Sequence, residues 1–353
     1  MSKRKKIICG VATGLAAFIA LALIVTLGVC KYLLDDMFGR VSAPTDYSLT
    51  TIYSDEETGV ERRAIEFKSG KNTLRGNLWG NNDSQKLVII SHGIGAIAND
   101  YYSEMIFFVN NGYRVLTYDC TGTARSDGKG TTGLSQSPID LHNALEFVER
   151  DEELKALPVY LFGHSWGGHA VTAVLNYEHK NVKAVASVAG YNSNAGIMKE
   201  WMKNKMGMGG FTNVIFPFAA FWAVIDSHGA YNMTGVKGIN GTDIPVLAVQ
   251  GGKDDTVWED SIYSHRSEIT NEKFESYFIE NGEHSGVLNP DATTVLEYRE
   301  EKRAQLEQLN REHNGKIPQD KLKEFYATID KHLFNDVNHE IMNKVLGFFA
   351  KAA

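Results

Sequence analysis

The sequence predicts an α/β protein with a mostly parallel sheet of eight strands and helices on both faces. Over most of the 353 residues, short apolar runs alternate with segments in which apolar residues recur at helical spacing. The run at residues 87–90 contains no polar side chain, which is typical of a strand that is covered on both faces. With 43% hydrophobic and 22% charged residues, the composition is that of a globular protein.

The elements follow from this pattern in chain order. Strands are predicted at residues 62–68, 73–79, 87–90, 113–118, 159–162, 182–188, 244–249 and 273–279. The first two strands are predicted to form a hairpin around the turn sequence Ser-Gly-Lys-Asn at 69–72. Helices are predicted at residues 101–110, 138–150 and 165–177. A last helix runs through Ile341 and Phe349, with Asn335 or Asp336 as its N-cap.

A basic tail and a long uncharged segment open the chain. Residues 1–6 include four basic side chains, and residues 7–30 include no charged one. As a helix this segment is about 36 Å long, enough to span a bilayer, so we predict an uncleaved transmembrane anchor. The alternative is a cleaved secretory signal. The excess of basic residues before the segment predicts a cytoplasmic N-terminus and an extracellular catalytic body.

The rest of the chain is divided into a stalk and one large domain. Residues 31–60 are predicted to be a polar stalk, and residues 61–353 the globular domain. From residue 31 onward there are 32 basic and 43 acidic residues, a net charge of −11, which argues against a nucleic-acid partner. Cys120 is the single cysteine of this part, so the body forms no internal disulfide. The oligomeric state is not predicted.

Two segments depart from the strand–helix alternation. Residues 192–243 are rich in Phe, Trp, Met and Ala, and we interpret them as a helical cap that forms the apolar wall of a substrate pocket. An ordinary helical excursion packed on the core is the alternative. Residues 291–333 show two apolar stripes at helical spacing and are predicted to be a pair of helices. This pair is either an addition to the domain without a role in the site, or a lid or a surface for a partner.

The strongest signal for chemistry is Gly-His-Ser-Trp-Gly at residues 163–167, which lies between a predicted strand and a predicted helix. A serine at such a junction sits on a tight turn that exposes its hydroxyl, as a nucleophile requires. Ser165 is therefore the predicted nucleophile. The flanking glycines leave room for the neighbouring strand and helix.

A serine hydroxyl needs a base and a group that orients the base. His284 lies in a polar turn just after the last predicted strand, where catalytic groups of parallel sheets collect. Asp254 and Asp255 follow the strand at 244–249 in the same way, and only one of these neighbours can reach the imidazole. We predict His284 as the base and favour Asp254 over Asp255 as the acid.

The oxyanion of an acyl-transfer intermediate needs N–H donors. Trp166 supplies one because it follows the nucleophile at a helix N-terminus. Ile94, in the Ser-His-Gly-Ile-Gly loop at 91–95, is the predicted second donor. His164 and His169 flank the serine, but the sequence has no cluster at metal-ligand spacing and no phosphate-binding loop. No metal or cofactor is predicted.

The order Ser165, Asp254, His284, preceded by a His-Gly loop, resembles the α/β-hydrolase superfamily over residues 61–290 and at the last helix. The segment 118–126, Tyr-Asp-Cys-Thr-Gly-Thr-Ala-Arg-Ser, is similar to the turn that this family has after its fourth strand. The chain looks most like the bacterial branch of serine aminopeptidases and monoacylglycerol lipase-like hydrolases. The resemblance implies an α/β-hydrolase fold with a cap at 192–243. The segment 291–333 departs from the family pattern.

Together these features predict a membrane-anchored serine hydrolase that cleaves a small-molecule or lipid-like carboxylic ester. An aminopeptidase or amidase of the same fold is the first alternative, and the sequence does not place the acidic pocket residue that would bind a substrate amine. A non-catalytic surface binding module is the second. All three expected triad residues are present, which argues against it.

Overall fold

The computed structural model describes residues 2–43, 59–290 and 292–352, and its central element is one eight-stranded sheet. The strands are β1 (Arg62–Ser69), β2 (Asn72–Trp79), β3 (Leu87–Ser91), β4 (Arg114–Tyr118), β5 (Val159–His164), β6 (Val182–Val188), β7 (Val246–Gly251) and β8 (Phe274–Ile279). Each lies within two residues of its predicted position. The α/β fold with a mostly parallel sheet is thereby confirmed.

Eleven α-helices accompany the sheet in the described residues. They are α1 (Lys3–Met37), α2 (Tyr102–Asn110), α3 (Gln136–Arg150), α4 (Trp166–Ala173), α5 (Asn194–Asn204), α6 (Thr212–Asp226), α7 (Gly235–Asn240), α8 (Thr293–Glu312), α9 (Gln319–Tyr326), α10 (Lys331–Phe334) and α11 (His339–Lys351). The predicted helix at 165–177 is shorter than expected, because its last turn is a 3₁₀-helix at Val174–Asn176.

The sheet order is β1-β2-β4-β3-β5-β6-β7-β8. β2 pairs antiparallel with both β1 and β4, and every other neighbouring pair is parallel. Every residue of β3, β4 and β5 is buried, since one apolar core lies on each face of the sheet. The carboxyl ends of β3, β5, β7 and β8 point in one direction, so the loops that follow them meet at one edge.

The last helix corrects one prediction. Asn338, rather than Asn335 or Asp336, caps α11, because its side chain accepts a hydrogen bond from the N–H of Ile341. Asp336 instead accepts from the ring of His339, and Asn335 lies at the end of α10. The apolar face of α11, including Phe349, packs under the sheet as predicted. The sequence predicted only Asn335 or Asp336 as the cap, whereas Asn335 is the C-cap residue of α10 and α11 begins after Asn338.

The N-terminal helix is longer than the predicted uncharged segment. α1 continues past Cys30 to Met37, because Leu34 and its neighbours pack against the body. The backbone then forms bridges from Gly39 and Val41 to the loop at 122–130. The first residues of the predicted stalk are therefore helical and in contact with the domain, and residues 44–58 of the stalk lie outside the described residues. By length and composition, both α1 and the segment Gly209–Asp226 could cross a membrane.

The two atypical segments are helical. Residues 192–243 contain α5, α6 and α7, and α6 contacts both α5 and α1. The segment 291–333 contains α8 and α9 and the beginning of α10, and α10 contacts α8. These helices agree with the helical pattern predicted from the sequence. Their roles as cap, lid or partner surface remain predictions.

Candidate active site

Ser165 occupies a strained turn between β5 and α4. Its backbone angles are φ 56° and ψ −116°, a conformation that non-glycine residues rarely adopt. The N–H of Ser165 donates to the carbonyl of Val188, which fixes the turn against β6. A Cβ atom at Gly167 would overlap the carbonyl oxygen of Ser91, so α4 can approach β3 this closely only with glycine there. The local fold thus directs the Ser165 hydroxyl away from the sheet.

His284 lies within hydrogen-bond distance of that hydroxyl. Its Nε2 is 2.8 Å from Ser165 Oγ, and its Nδ1 is 2.9 Å from Asp254 Oδ2. The two loops that carry His284 and Asp254 follow the adjacent parallel strands β8 and β7. The imidazole is therefore held between the serine and the carboxylate, in the arrangement that a general base requires.

Asp254 is fixed by four hydrogen bonds. Its Oδ1 accepts from the N–H groups of Thr256 and Val257 at 2.9 and 2.8 Å. Its Oδ2 accepts from the Gln250 amide at 3.0 Å and from His284. The Asp254 side chain is fully buried. Every lone-pair direction of this carboxylate is used, so it can hold the His284 ring in only one orientation.

Asp255 points the other way. Its carboxylate is 77% exposed and forms a 2.7 Å ion pair with Lys205. That ion pair, together with a hydrogen bond from Thr256, lowers the pKa of Asp255. Of the two neighbours that the sequence left open, Asp254 is the one beside His284.

Trp166 and Ile94 are the residues whose backbone N–H groups the sequence predicts to bind an oxyanion. Trp166 is the first residue of α4, where N–H groups have no partner within the helix. The Ile94 N–H makes no hydrogen bond within the described part of the chain. The neighbouring Gly93 N–H is not free, because it donates to the Tyr101 hydroxyl at 2.9 Å. Of these two loop residues, Ile94 therefore offers the available donor.

Tyr101 and His164 form a chain of hydrogen bonds that the sequence did not reveal. The His164 Nε2 lies 3.0 Å from the carbonyl oxygen of His284, which can only accept, so this nitrogen carries the proton. The His164 Nδ1 then accepts from the Tyr101 hydroxyl at 2.9 Å. With the bond from Gly93, this chain connects the oxyanion loop, the serine turn and the histidine loop. The only sequence signal was a histidine beside Ser165.

Both histidines that flank the serine are neutral at physiological pH. Burial lowers the pKa of His164 to about 4, and the neighbouring His284 adds to this effect. Burial also lowers the pKa of His169 to about 4. Among residues 2–43, 59–290 and 292–352, no group of three or more His, Cys, Asp or Glu side chains is arranged to hold a metal ion.

An apolar cleft of about 50 Å³ lies between α1 and the helices α5 and α6. It is lined by Cys30, Leu33, Leu34, Met37, Phe38, Leu134, Met198, Trp201, Met202, Met206, Met208, Ile215 and Ala219. Leu134, one of the lining residues, accepts a hydrogen bond through its carbonyl from the indole of Trp166, the residue after Ser165, at 2.7 Å. Residues 192–243 are the predicted apolar wall of a substrate pocket, and Met198 to Ala219 of that segment line this cleft. The sequence did not predict that the N-terminal helix lines the cleft as well.

Comparisons with known proteins bear on the family of this chain. The family model for serine aminopeptidase, S33, matches residues 82–221. A 2-hydroxy-6-oxononadienedioate/2-hydroxy-6-oxononatrienedioate hydrolase of Klebsiella pneumoniae is 30% identical over 137 residues, 38% of this chain and 46% of the relative. The monoglyceride lipase of Saccharomyces cerevisiae is 30% identical over 109 residues, 29% of this chain and 34% of the relative. The chain belongs to the α/β-hydrolase superfamily.

The solved structures support the same fold. An esterase from Pyrococcus furiosus aligns with 78% of this α/β-hydrolase and 98% of its own chain, with a TM-score of 0.55 and 18% sequence identity. The sequence alignments reach less than half the length of the curated relatives. The family-model match includes Ile94, Ser165 and Trp166 but ends before Asp254 and His284. Similarity therefore establishes the superfamily, while the assignment of the acid and the base depends on the geometry.

Proposed function

We propose that this α/β-hydrolase is a serine hydrolase that cleaves carboxylic esters. The observation that carries the proposal is the unbroken hydrogen-bond path from Asp254 through His284 to Ser165. Ser165 Oγ attacks the ester carbonyl while its proton moves to His284 Nε2. The oxyanion that forms lies against the Ile94 and Trp166 N–H groups.

The second half of the reaction uses the same groups. His284 returns its proton to the leaving alcohol, and an acyl group stays on Ser165. Water then attacks the acyl-enzyme with His284 as the base, releasing the carboxylic acid. Asp254 keeps Nδ1 protonated throughout and stabilises the imidazolium that forms in each half.

The apolar cleft favours an ester with an apolar acyl group over an aminoacyl amide. An aminopeptidase would need a carboxylate in the pocket for the substrate amine, and the side chains that line the cleft are all apolar. The nearest carboxylate of the neighbouring pocket, Asp226, is paired with Lys31. The names of the yeast lipase and the archaeal esterase are consistent with ester cleavage.

A fluorophosphonate probe tests the nucleophile. Wild-type protein should be labelled, and Ser165→Ala should not be labelled or hydrolyse short-chain esters. Equal labelling of both proteins, or no labelling of the wild type, would contradict the proposal. A panel of short- and long-chain esters beside aminoacyl amides separates the esterase from the aminopeptidase.

We also propose that α1 is an uncleaved anchor with the catalytic body outside the cell. Its most apolar window has a mean hydropathy of 2.6, and basic residues precede it. A signal sequence near the N-terminus can meet the same criteria of length and composition, so the mature N-terminus should be sequenced. Protease added to intact cells should digest the body, and a protected body would refute the orientation.

A further inference from the structure

The helix α6 has an apolar outer face that no described residue covers. The exposed fractions of its outward side chains are 61% for Val214, 49% for Phe221, 51% for Val224 and 50% for Ile225. These positions recur at helical spacing and so lie on one face. The opposite face packs on the body through Ile215 and the buried Ala219. A soluble surface rarely exposes such a row of large apolar side chains without a partner.

The position of α6 on α1 indicates what that partner is. The Trp222 indole N–H donates to the carbonyl of Leu27 at 2.9 Å, and Lys31 lies 5.8 Å from the centre of the Trp222 ring. Lys31 also pairs with Asp226 at the end of α6, at 3.4 Å. Leu27 lies in the last turn of the uncharged span, and Lys31 is the first charge after it. Trp222 therefore stands at the level where the span meets the bilayer surface, which tryptophan favours.

The contacts of α6 decide its orientation. With the 3₁₀ turn at Gly209–Phe211 the helix has 18 residues and is about 27 Å long, so its packing rather than its length sets how it meets a membrane. Its inner face is bound to the domain through Ile215 and Ala219. The helix can therefore lie along the membrane surface with its outer face in the acyl region, as amphipathic interfacial helices do.

The cleft opens beside this face. Three of its lining residues, Leu33 and Met37 of α1 and Met206 after α5, are 41 to 44% exposed and form an apolar rim. The inner end of the cleft contacts Leu134, whose carbonyl is hydrogen-bonded to the Trp166 indole beside the nucleophile. The apolar lining thus extends from this rim to Leu134, which is hydrogen-bonded to the residue next to Ser165.

We propose that the outer face of α6 docks into the bilayer that α1 enters, and that α1 and α6 together admit acyl chains from the membrane into the cleft. The docking follows from the two helices alone, whereas the entry of substrate rests on the proposed hydrolase activity. The two parts are tested separately for that reason.

Spin labels on the full-length protein in lipid nanodiscs test the docking. Cysteine is placed at Val214 or Val224 after Cys9, the exposed native cysteine, is changed to Ala; Cys30 and Cys120 are buried. Leu296→Cys, an exposed apolar position on α8, is the matched control. Labels on α6 should collide readily with oxygen and poorly with a water-soluble nickel chelate, and the control label the reverse. The docking proposal would be refuted if labels on α6 collided readily with the nickel chelate. It would also be refuted if they collided with neither reagent, as labels in a protein–protein interface do.

Charged substitutions test substrate entry. In the double variant Val214→Glu/Phe221→Glu, kcat/KM for a long-chain ester embedded in vesicles should fall about tenfold or more, because the apolar face no longer enters the acyl region. Hydrolysis of a soluble short-chain ester should stay within about twofold, since neither side chain lines the cleft. Leu296→Glu should leave both rates unchanged. An equal effect on both substrates would refute the entry route, whereas no hydrolysis by the wild type would refute the proposed function and leave the spin-label result standing.

Discussion

Replacing Asp254 with Asn tests the proposed site most directly, because the amide has nearly the same shape but turns one acceptor oxygen into a donor. The Asn oxygen can face either the Thr256 and Val257 N–H groups or His284 and the Gln250 amide. The Gln250 amide has other acceptors in the carbonyls of Gly251 and Val257, whereas the two N–H groups do not. If it faces His284, the amide NH₂ is directed at two N–H donors, and both of these are left without an acceptor. Each unsatisfied buried donor costs about 1–3 kcal/mol, so this orientation is disfavoured by about 2–6 kcal/mol.

The favoured orientation therefore directs the amide NH₂ at His284. The Nδ1 atom must then accept, which moves the ring proton to Nε2, 2.8 Å from Ser165 Oγ. An imidazole in this tautomer cannot take the serine proton. The same exchange in a serine protease lowers kcat by about 10⁴, and we expect a loss of that order here.

The assay is kcat/KM on a soluble short-chain ester, with circular dichroism to verify folding. Asp255→Asn is the matched control, since it removes only an exposed ion pair with Lys205 and should change kcat/KM by less than about twofold. If Asp254→Asn kept more than about a tenth of the activity, or if the two variants lost activity equally, the assignment of the acid would be wrong.

Three further predictions concern the surroundings of the site. Tyr101→Phe removes the link to His164 and should lower kcat about tenfold with little change in KM, measured by steady-state kinetics; an unchanged kcat would refute the positioning role. Because the folded pKa of His169 is about 4, the unfolded chain binds its proton first, and the free energy of unfolding should fall as the pH drops from 6.5 to 4. In urea titrations, the free energy of unfolding of His169→Gln should fall less steeply with decreasing pH than that of the wild type, by up to about 1.4 kcal/mol per pH unit. An identical slope in the two proteins would contradict the lowered pKa of His169. Gly167→Ala should abolish soluble folded protein, whereas Gly347→Ala, with open space around it, should not reduce the yield.

The candidate site was largely predictable because each proposed residue follows a strand of a parallel sheet. Ser165, Asp254 and His284 lie just beyond β5, β7 and β8, which end at the same edge of the sheet with only β6 between β5 and β7. Tyr101 could not be predicted, because it lies before an ordinary helix and its position depends on how α2 packs. The choice between Asp254 and Asp255 likewise required the direction of each side chain. The catalytic roles remain the proposal made above.

The sequence by itself determined the strands, the order of the site residues and the apolar N-terminal segment, because these depend on local pattern and on the rules of parallel sheets. Tertiary structure alone decided that Asn338 caps α11 and that α1 runs on to Met37. It also decided that the end of α1 becomes a wall of the cleft beside α6. Contacts of this kind join segments almost 200 residues apart, such as Leu27 and Trp222. No periodicity within either segment encodes these contacts. The pattern of apolar residues shows which face of a helix is apolar, but it does not show which surface packs against that face.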